Sequence, residues 1–220
     1  MNNHLRTQID KLKKDILDLG EFVQEQMSKS ILAVKNFDES LAREVQHNDN
    51  EIDRREVEIE EQCLQLLALH QPVAVDLRFI VSVLKINNDL ERIGDLSSNI
   101  AQRAKYLARK NKLPPPFDLD QMSQLTSEML SNALEALVNM DSELANEVCL
   151  KDQKVDDLNR QTYHNVFKKI KQSPQNTEDL IHYLTISRNL ERIADYATNI
   201  AEDVIYMVEG IIVRHSNIEI

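Results

Sequence analysis

The sequence has few of the residues that end helices or form disulfides. Its 220 residues include three glycines, five prolines, two cysteines and no tryptophan. Together with abundant Leu, Ile, Glu and Lys, this composition predicts an all-helical protein. Cys63 and Cys149 both fall within helical patterns, and nothing in the sequence indicates a disulfide. We expect them to be small buried thiols in a reducing compartment.

Long apolar runs and an excess of basic residues are also absent. No run approaches the ~20 apolar residues that span a bilayer, and the first residues lack the apolar core of a signal peptide. We therefore expect a cytoplasmic protein that does not span a membrane. The 26 basic and 37 acidic residues give a net charge of −11, which argues against binding to nucleic acid or to an anionic membrane. An acidic surface suits cations or a basic partner.

An internal repeat is the most informative feature of the sequence. Residues 90–101 read LERIGDLSSNIA, and residues 190–201 read LERIADYATNIA. A repeat of this length predicts a duplicated structural unit. Because polar residues recur as well as apolar ones, we expect the duplication to preserve a site as well as a core. Gly94 and Ala194 match in the repeat and would either allow a neighbouring helix to approach closely or occupy a neutral surface position.

Apolar residues recur at alternating steps of three and four, the pattern of a helical-bundle seam. Residues 36–38, which read Asn-Phe-Asp, form a predicted turn that contains a candidate helix N-cap. The pair Gln71-Pro72 and the stretch 173–177 are predicted to break helices. We predict six long helices, of which the second ends near His70 and the others after it cover about 75–109, 118–139, 141–172 and 178–209.

The proline-rich stretch 111–117 marks the predicted domain boundary. Its three consecutive prolines cannot lie inside a helix. We therefore predict a first three-helix repeat over residues 1–110, a linker over 111–117 and a second three-helix repeat over 118–220. The predicted fold is all-α, with two tandem three-helix bundles.

Acidic residues form a stripe in each repeat. Glu91 with Asp95, and Glu191 with Asp195, are four residues apart. At about 100° per residue each pair lies on one helix face, opposite the apolar seam. The preceding helix of each half carries a pair at the same spacing, and these pairs are Asp49 with Asp53 and Asp152 with Asp156.

Folding each pair of helices into a hairpin brings these acids together. If Asp53 lies opposite Glu91, the turn falls at their mean position, which is Pro72. The same register in the second half places the turn beside Pro174. Both hairpins thus turn at a proline, and four carboxylates meet in each half. The alternative is a solvated surface, because roughly six acid pairs at this spacing arise by chance in such a composition and most acids are exposed.

Four facing carboxylates repel one another, and a bound cation would remove that repulsion. Oxygen ligands suit Fe³⁺, Mn²⁺, Mg²⁺ or Ca²⁺, whereas zinc more often binds His or Cys. Asn99 and Asn199 follow each stripe and could support the ligands or simply lie on the helix surface. The predicted metal ligands are Asp49, Asp53, Glu91, Asp95, Asp152, Asp156, Glu191 and Asp195.

A carboxylate-bridged metalloenzyme or metal store of the di-iron type is an alternative. Glu44-x-x-His47 matches half of the Glu-x-x-His signature of such bundles, and Asp179-x-x-His182 is a variant of it. The stretch of the second half that corresponds to Glu44–His47 lacks the His. The sequence contains neither a glycine-rich phosphate loop nor a recognisable nucleophile–base arrangement. Nothing in it therefore requires catalysis.

In combination these stretches resemble the PhoU family, the cytoplasmic regulators of bacterial phosphate uptake. The resemblance covers nearly the whole chain as two three-helix repeats joined by a linker. One departure is that the second half lacks the Gln-Pro…Asp-Leu-Arg turn, which would confine any role of Arg78 in partner contact to one repeat. The matching stretches are DNEID at 49–53, QPVAVDLR at 71–78, LERIGD at 90–95, DQKVD at 152–156 and LERIAD at 190–195.

The resemblance implies a non-enzymatic, often dimeric protein that lowers the phosphate-starvation response when phosphate is plentiful. Its implied partners are the sensor histidine kinase of the phosphate two-component system and the ATPase subunit of the phosphate ABC transporter. It also implies multinuclear iron or zinc clusters on the eight acids named above, with manganese or magnesium as further candidates. A regulatory subunit of another ion transporter is a second alternative, because similar repeats occur beside other ion carriers.

Overall fold

The computed structural model describes residues 3–110 and 112–213, which form six long α-helices and no strand. This confirms the predicted all-α fold, and every helix bound predicted from His70 onward lies within one residue of the observed one. A short 3₁₀ turn, Pro174–Asn176, separates the last two helices. The helices are α1 (Asn3–Asn36), α2 (Glu39–His70), α3 (Ala74–Ala108), α4 (Leu119–Asn139), α5 (Ser142–Gln172) and α6 (Thr177–Glu209).

Aspartate side chains begin three of these helices by accepting hydrogen bonds from otherwise unpaired backbone N–H groups. Asp38 Oδ1 accepts from the backbone of Leu41 at 3.0 Å, so Asp38 is the N-cap within the predicted turn. Asp118 and Asp141 begin α4 and α5 in the same way. Helix α2 ends where Gln71 adopts a left-handed conformation with φ of 46°, and the following proline cannot continue a helix.

Each half packs as an antiparallel three-helix bundle, and the two halves pack on each other. Helix α3 lies against α1 and α2, and α6 lies against α4 and α5. Helices α3 and α6 also pack together along their length, and α1 contacts α4. One hydrophobic core, which includes Leu12, Ile86 and Ile186, therefore runs through both halves.

Because the two halves share this core, the structure does not separate them into two units. The predicted division into two repeats therefore stays a prediction. Residues 1, 2, 111 and 214–220 lie outside the described residues, and the ends of the predicted repeats and the first residue of the linker fall there. None of the described helices is both long and apolar enough to cross a membrane.

The two cysteines differ in burial. Cys63 is fully buried in α2, as expected, whereas Cys149 is only half-buried on α5, and both thiols are free. Cys149 departs from the expectation because it lies at the edge of the α5–α6 contact, beside Glu202 and Asp152. Burial, and then the charges of these two acids, raises the pKa of its thiol to about 12.

Candidate functional site

Helices α2 and α3 bring Asp49, Asp53, Glu91 and Asp95 together, and we call these four residues the first acidic cluster. Burial is the main cause that raises the pKa of the Asp49 carboxyl, and the charges of Asp95 and Asp53 add to it. Burial likewise raises the pKa of Glu91, with Asp95 and Asp53 among the charges that act on it. The acids of the two helices therefore face one another in the register that places the hairpin turn at Pro72.

The close approach of α2 and α3 at this point depends on a glycine. A Cβ atom on Gly94 would lie only 2.8 Å from Ile52 Cδ1, and Gly94 is buried. Of the two roles that the sequence allows for this position, the structure shows the close helix approach. Ile52 immediately precedes Asp53, and Gly94 immediately precedes Asp95, so this contact lies beside the acids.

Helices α5 and α6 form the second acidic cluster from Asp152, Asp156, Glu191 and Asp195. Ligand oxygens of Asp152, Asp156 and Asp195 all lie within 4.8 Å of one another. Glu191 adjoins them, because the charges of Asp156 and Asp152 contribute to its raised pKa after burial. Within the described parts of the chain, no other three His, Cys, Asp or Glu side chains bring their ligand atoms so close together.

The second acidic cluster holds its negative charge at a clear electrostatic cost. Burial, followed by the charges of Asp195 and Asp156, raises the pKa of Asp152 to about 6. Burial, followed by the charges of Glu191 and Asp156, raises the pKa of Asp195 to about 6. Removal from water disfavours the ionised form of a carboxyl, and neighbouring carboxylates disfavour it further. A cation beside these groups would reverse both effects.

Two oxygen atoms of the clusters also lack hydrogen-bond donors. Asp152 Oδ1 and Glu91 Oε2 are buried and accept no hydrogen bond within the described residues. The guanidinium of Arg92 comes to 3.4 Å from Glu91 Oε2, but Arg92 is itself largely exposed. Buried acceptors without donors, in a set composed wholly of carboxylates, fit a hard or borderline metal ion. The acids of each half thus lie on facing helices, but only Asp152, Asp156 and Asp195 bring ligand atoms within 4.8 Å of one another. The role of all eight acids as ligands stays a prediction.

The structure adds two hydroxyl groups that the sequence reasoning missed. Ser98 and Thr198 lie against Asp49 and Asp152, and each lowers the pKa of its neighbouring carboxyl against the effect of burial. Asn99 is exposed and Asn199 is half-buried, so their supporting role stays a prediction. The repeat itself held the signal, because residues 98 and 198 both carry a hydroxyl group.

The two clusters are not identical at their edges. Glu56 adjoins the first acidic cluster, where its carboxylate Oε1 accepts a hydrogen bond of 3.2 Å from Asn87 Nδ2. The equivalent pair in the second half is uncharged, with Ser187 Oγ donating to Asn159 Oδ1 at 2.9 Å. Glu202 instead adjoins the second acidic cluster from the other end, beside Asp152. Each cluster therefore has a fifth acid beside it. Glu56 lies at one end of the first acidic cluster, and Glu202 lies at the opposite end of the second.

The two Glu-x-x-His-like motifs do not form a di-iron centre. Glu44 forms an ion pair with Lys29 of α1 at 2.6 Å. His182 stacks on Tyr106 of α3 with the ring centroids 3.8 Å apart. In residues 3–110 and 112–213, the one close group of side chains able to bind a metal is Asp152, Asp156 and Asp195. Neither motif contributes to it.

The fold and the clusters together define a class of protein: a duplicated three-helix bundle with an acidic cluster on each half. The family model described as the PhoU domain matches residues 16–104 and 119–204, one match in each half. The chain belongs to the PhoU family, as its sequence resemblance indicates.

Named relatives and solved structures agree with this assignment. The phosphate-specific transport system accessory protein PhoU homolog of Aquifex aeolicus is 37% identical over 96% of this chain and 96% of its own length. The homolog of Pseudomonas aeruginosa is 32% identical over 98% of this chain and 89% of its own length.

Two crystal structures extend the similarity to the whole fold. PhoU from Pseudomonas aeruginosa has a TM-score of 0.90 at 32% identity and covers 94% of this chain and 99% of its own. The phosphate transport system regulatory protein PhoU from Streptococcus pneumoniae has a TM-score of 0.83 at 31% identity, covering 95% and 99%. Proteins of this family are accessory and regulatory proteins, so the chain is not an enzyme.

Proposed function

We propose that this chain regulates phosphate uptake and the phosphate-starvation response in the cytoplasm. The observation that carries the proposal is the similarity, over nearly the whole chain, to accessory proteins of the phosphate-specific transport system. In this proposal the protein is a homodimeric adaptor. It binds the ATPase subunit of the phosphate ABC transporter and the sensor histidine kinase of the phosphate two-component system. Long exposed helix faces give it the surface for such contacts.

Deletion of the gene tests the regulatory role. In high phosphate, a reporter under a phosphate-starvation promoter is expected to become active in the deletion strain and to be repressed again when the full chain is supplied. A reporter that stays repressed after deletion would contradict the proposal.

Pairwise binding of purified proteins tests the adaptor role and separates it from the second alternative. The full chain is expected to bind the ATPase subunit of the phosphate transporter and the kinase, but not the ATPase subunit of an unrelated ABC transporter. Preferential binding to a carrier of another ion would instead make the chain a regulatory subunit of that carrier.

We further propose that each acidic cluster holds a multinuclear metal centre of iron or zinc, with manganese or magnesium as further candidates. Three features support this proposal: the 4.8 Å grouping of Asp152, Asp156 and Asp195, the raised pKa values of Asp152 and Asp195, and the acceptors without donors. A bound cation would relieve the repulsion among the acids and could tie α2 to α3 and α5 to α6. The metal would then stabilise the bundle surface rather than perform a reaction.

Elemental analysis of protein purified without chelators tests this second proposal. The parent chain is compared with a triple variant of the second acidic cluster, Asp152→Asn, Asp156→Asn and Asp195→Asn. The exposed neighbour Asp157, changed to Asn, is the matched control. We expect stoichiometric metal in the parent and in the control, and loss of the second cluster's share in the triple variant. Equal metal content in all three proteins, or none in the parent, would contradict the proposal.

A further inference from the structure

Helices α2 and α5 occupy equivalent places in the two halves but carry opposite charge. The two helices are aligned by matching Asp49 and Asp53 of α2 with Asp152 and Asp156 of α5. Residues 56–70 of α2 contain four acids and no Lys or Arg, whereas the equivalent residues 159–173 of α5 contain four Lys or Arg and no acid. Duplication of a bundle does not require this reversal, because these charges lie outside the core.

The charged residues share a face with exposed apolar residues on both helices. At steps of three and four, such residues fall into one strip along a helix. We define the acidic strip as Val57, Glu60, Glu61 and Leu64 of α2, and the basic strip as Arg160, Tyr163, His164, Phe167, Lys168 and Lys171 of α5.

Each strip leaves large apolar side chains in solvent. Phe167 is 60% exposed and Tyr163 is 36% exposed, in a chain of only 5% aromatic residues. Val57 and Leu64 are 50% and 53% exposed. Apolar residues surrounded by charges of one sign are typical of a surface that binds a partner.

Most of the strip charges are not used within the molecule. Glu60, Glu61, Lys168 and Lys171 form no ion pair with any described residue. Elsewhere on α2 the pattern differs, because Arg54 pairs with both Glu51 and Glu58. In the basic strip, Arg160 forms an ion pair with Asp157, which lies outside the strip. The remaining charges are therefore available to a molecule outside the chain.

We propose that the acidic strip of one copy docks on the basic strip of a second copy of this chain. Each strip supplies the charge that the other lacks, and both present exposed apolar residues whose burial would stabilise the contact. Each copy carries both strips, so two copies related by a two-fold axis would form the contact twice, and a head-to-tail arrangement would form it once between neighbours. The inference rests on the proposed homodimer and specifies its surface.

Charge reversal tests the pairing directly, in the full chain with chelator present. One variant carries Lys168→Glu and Lys171→Glu, so that both of its strips are acidic. A second variant carries Glu60→Lys and Glu61→Lys, so that both of its strips are basic. The matched control carries Lys154→Glu, at an exposed position of α5 outside the strip. Sedimentation velocity measures association over a range of protein concentrations at low and high salt.

The expected result is that the parent and the control associate at low salt and weaken at high salt, because exposed charges are screened. Each double variant alone should be monomeric, and an equimolar mixture of the two should associate again. Helical circular dichroism equal to that of the parent shows that both variants fold. Species larger than a dimer that respond to the same substitutions would also support the pairing, in a head-to-tail form.

Two results would overturn the inference. Double variants that associate as strongly as the parent would leave the homodimer in place but assign it to another surface. A parent that stays monomeric would overturn both the surface and the homodimer, without affecting the reporter test of regulation. In that case, binding of the parent but not of Lys168→Glu/Lys171→Glu to phosphatidylserine-containing vesicles would identify an anionic membrane as the occupant of the basic strip.

Discussion

At the scale of single residues, Asp152 shows how a helix-surface acid comes to carry an unfavourable charge. Its Oδ1 atom is buried and has no hydrogen-bond donor within the described structure. Burial and two neighbouring acids raise its pKa to about 6, from an ordinary value of 3.8. Below pH 4 the carboxyl is protonated in both the folded and the unfolded chain, and above pH 6 it is ionised in both. Stability from this group is therefore lost as the pH rises between these values.

The substitution Asp152→Asn should consequently stabilise the metal-free protein at neutral pH. We expect the free energy of unfolding to rise by about 1–2 kcal/mol at pH 7.5, which is less than the full pKa shift implies because the group is partly exposed to solvent. The gain should vanish near pH 4. Urea unfolding with chelator, at a series of pH values, measures both results.

Asp157→Asn is the control for this pH dependence, because Asp157 lies on the same helix but is exposed and paired with Arg160. Its effect should stay small at every pH. If Asp152→Asn destabilised the metal-free protein at pH 7.5, Asp152 would be held by favourable contacts, contrary to this account.

Gly94 is a second residue whose identity is fixed by its surroundings. A larger side chain at this position would meet Ile52 and push α2 away from α3. We expect Gly94→Val to lower the free energy of unfolding by about 1–3 kcal/mol, the usual cost of overpacking a core. Gln102→Val, at an exposed position of α3, is the control. Equal stability of the two variants in a urea titration would show that the helices can separate freely.

At the scale of elements, helix ends set where each hairpin turns and therefore which acids meet. Asp141 begins α5, and its Oδ1 atom accepts hydrogen bonds of 3.0 Å from the backbone of both Glu143 and Leu144. Helix α5 carries half of the second acidic cluster, and Asp141 fixes where that helix begins. The same capping chemistry begins α2 at Asp38.

Removal of the cap by Asp141→Ala should lower the free energy of unfolding by about 1 kcal/mol, because two backbone donors lose their acceptor. Ser142→Ala, one residue further on, should have a smaller effect. Chemical denaturation monitored by helical circular dichroism compares the two variants. A loss for Ser142→Ala as large as that for Asp141→Ala would contradict a capping role.

At the scale of the whole molecule, the contact between α3 and α6 joins the two halves. Lys85 Nζ lies 3.2 Å from Asp203 Oδ1 across this contact, and Asp203 is 1% exposed. The same lysine lies over the ring of Tyr206 at 5.5 Å. One charged residue of the first half thus neutralises a buried acid of the second.

Lys85→Met should destabilise the protein by roughly 1–3 kcal/mol, since it removes a cation that lies beside the buried carboxylate of Asp203. The double variant Lys85→Met/Asp203→Asn should recover part of that loss. Thermal unfolding of the parent, of Lys85→Met, of Asp203→Asn and of the double variant gives the comparison. If the double variant lost as much stability as the two single changes added together, the two residues would act independently.

The sequence by itself determined the fold class, the helix bounds and the pairing of the acids. Alternating apolar steps show which face of a helix is buried, and prolines show where helices end, so the bounds predicted from His70 onward are accurate to one residue. The repeat supplied a second, independent hairpin with the same register. Asp53 could therefore be placed opposite Glu91 without any three-dimensional information.

Only the tertiary structure decided which of these acids are buried, and how the halves meet. The raised pKa values of Asp152 and Asp195 depend on solvent exclusion and on charges from another helix. Three further features depend on segments that are far apart in the sequence and close in the fold. They are the contact of Ser98 with Asp49, the position of Glu202 beside Asp152, and the packing of α3 on α6. Periodicity reports only the face on which a residue lies. Burial and electrostatic energy depend on what the rest of the chain places against that face.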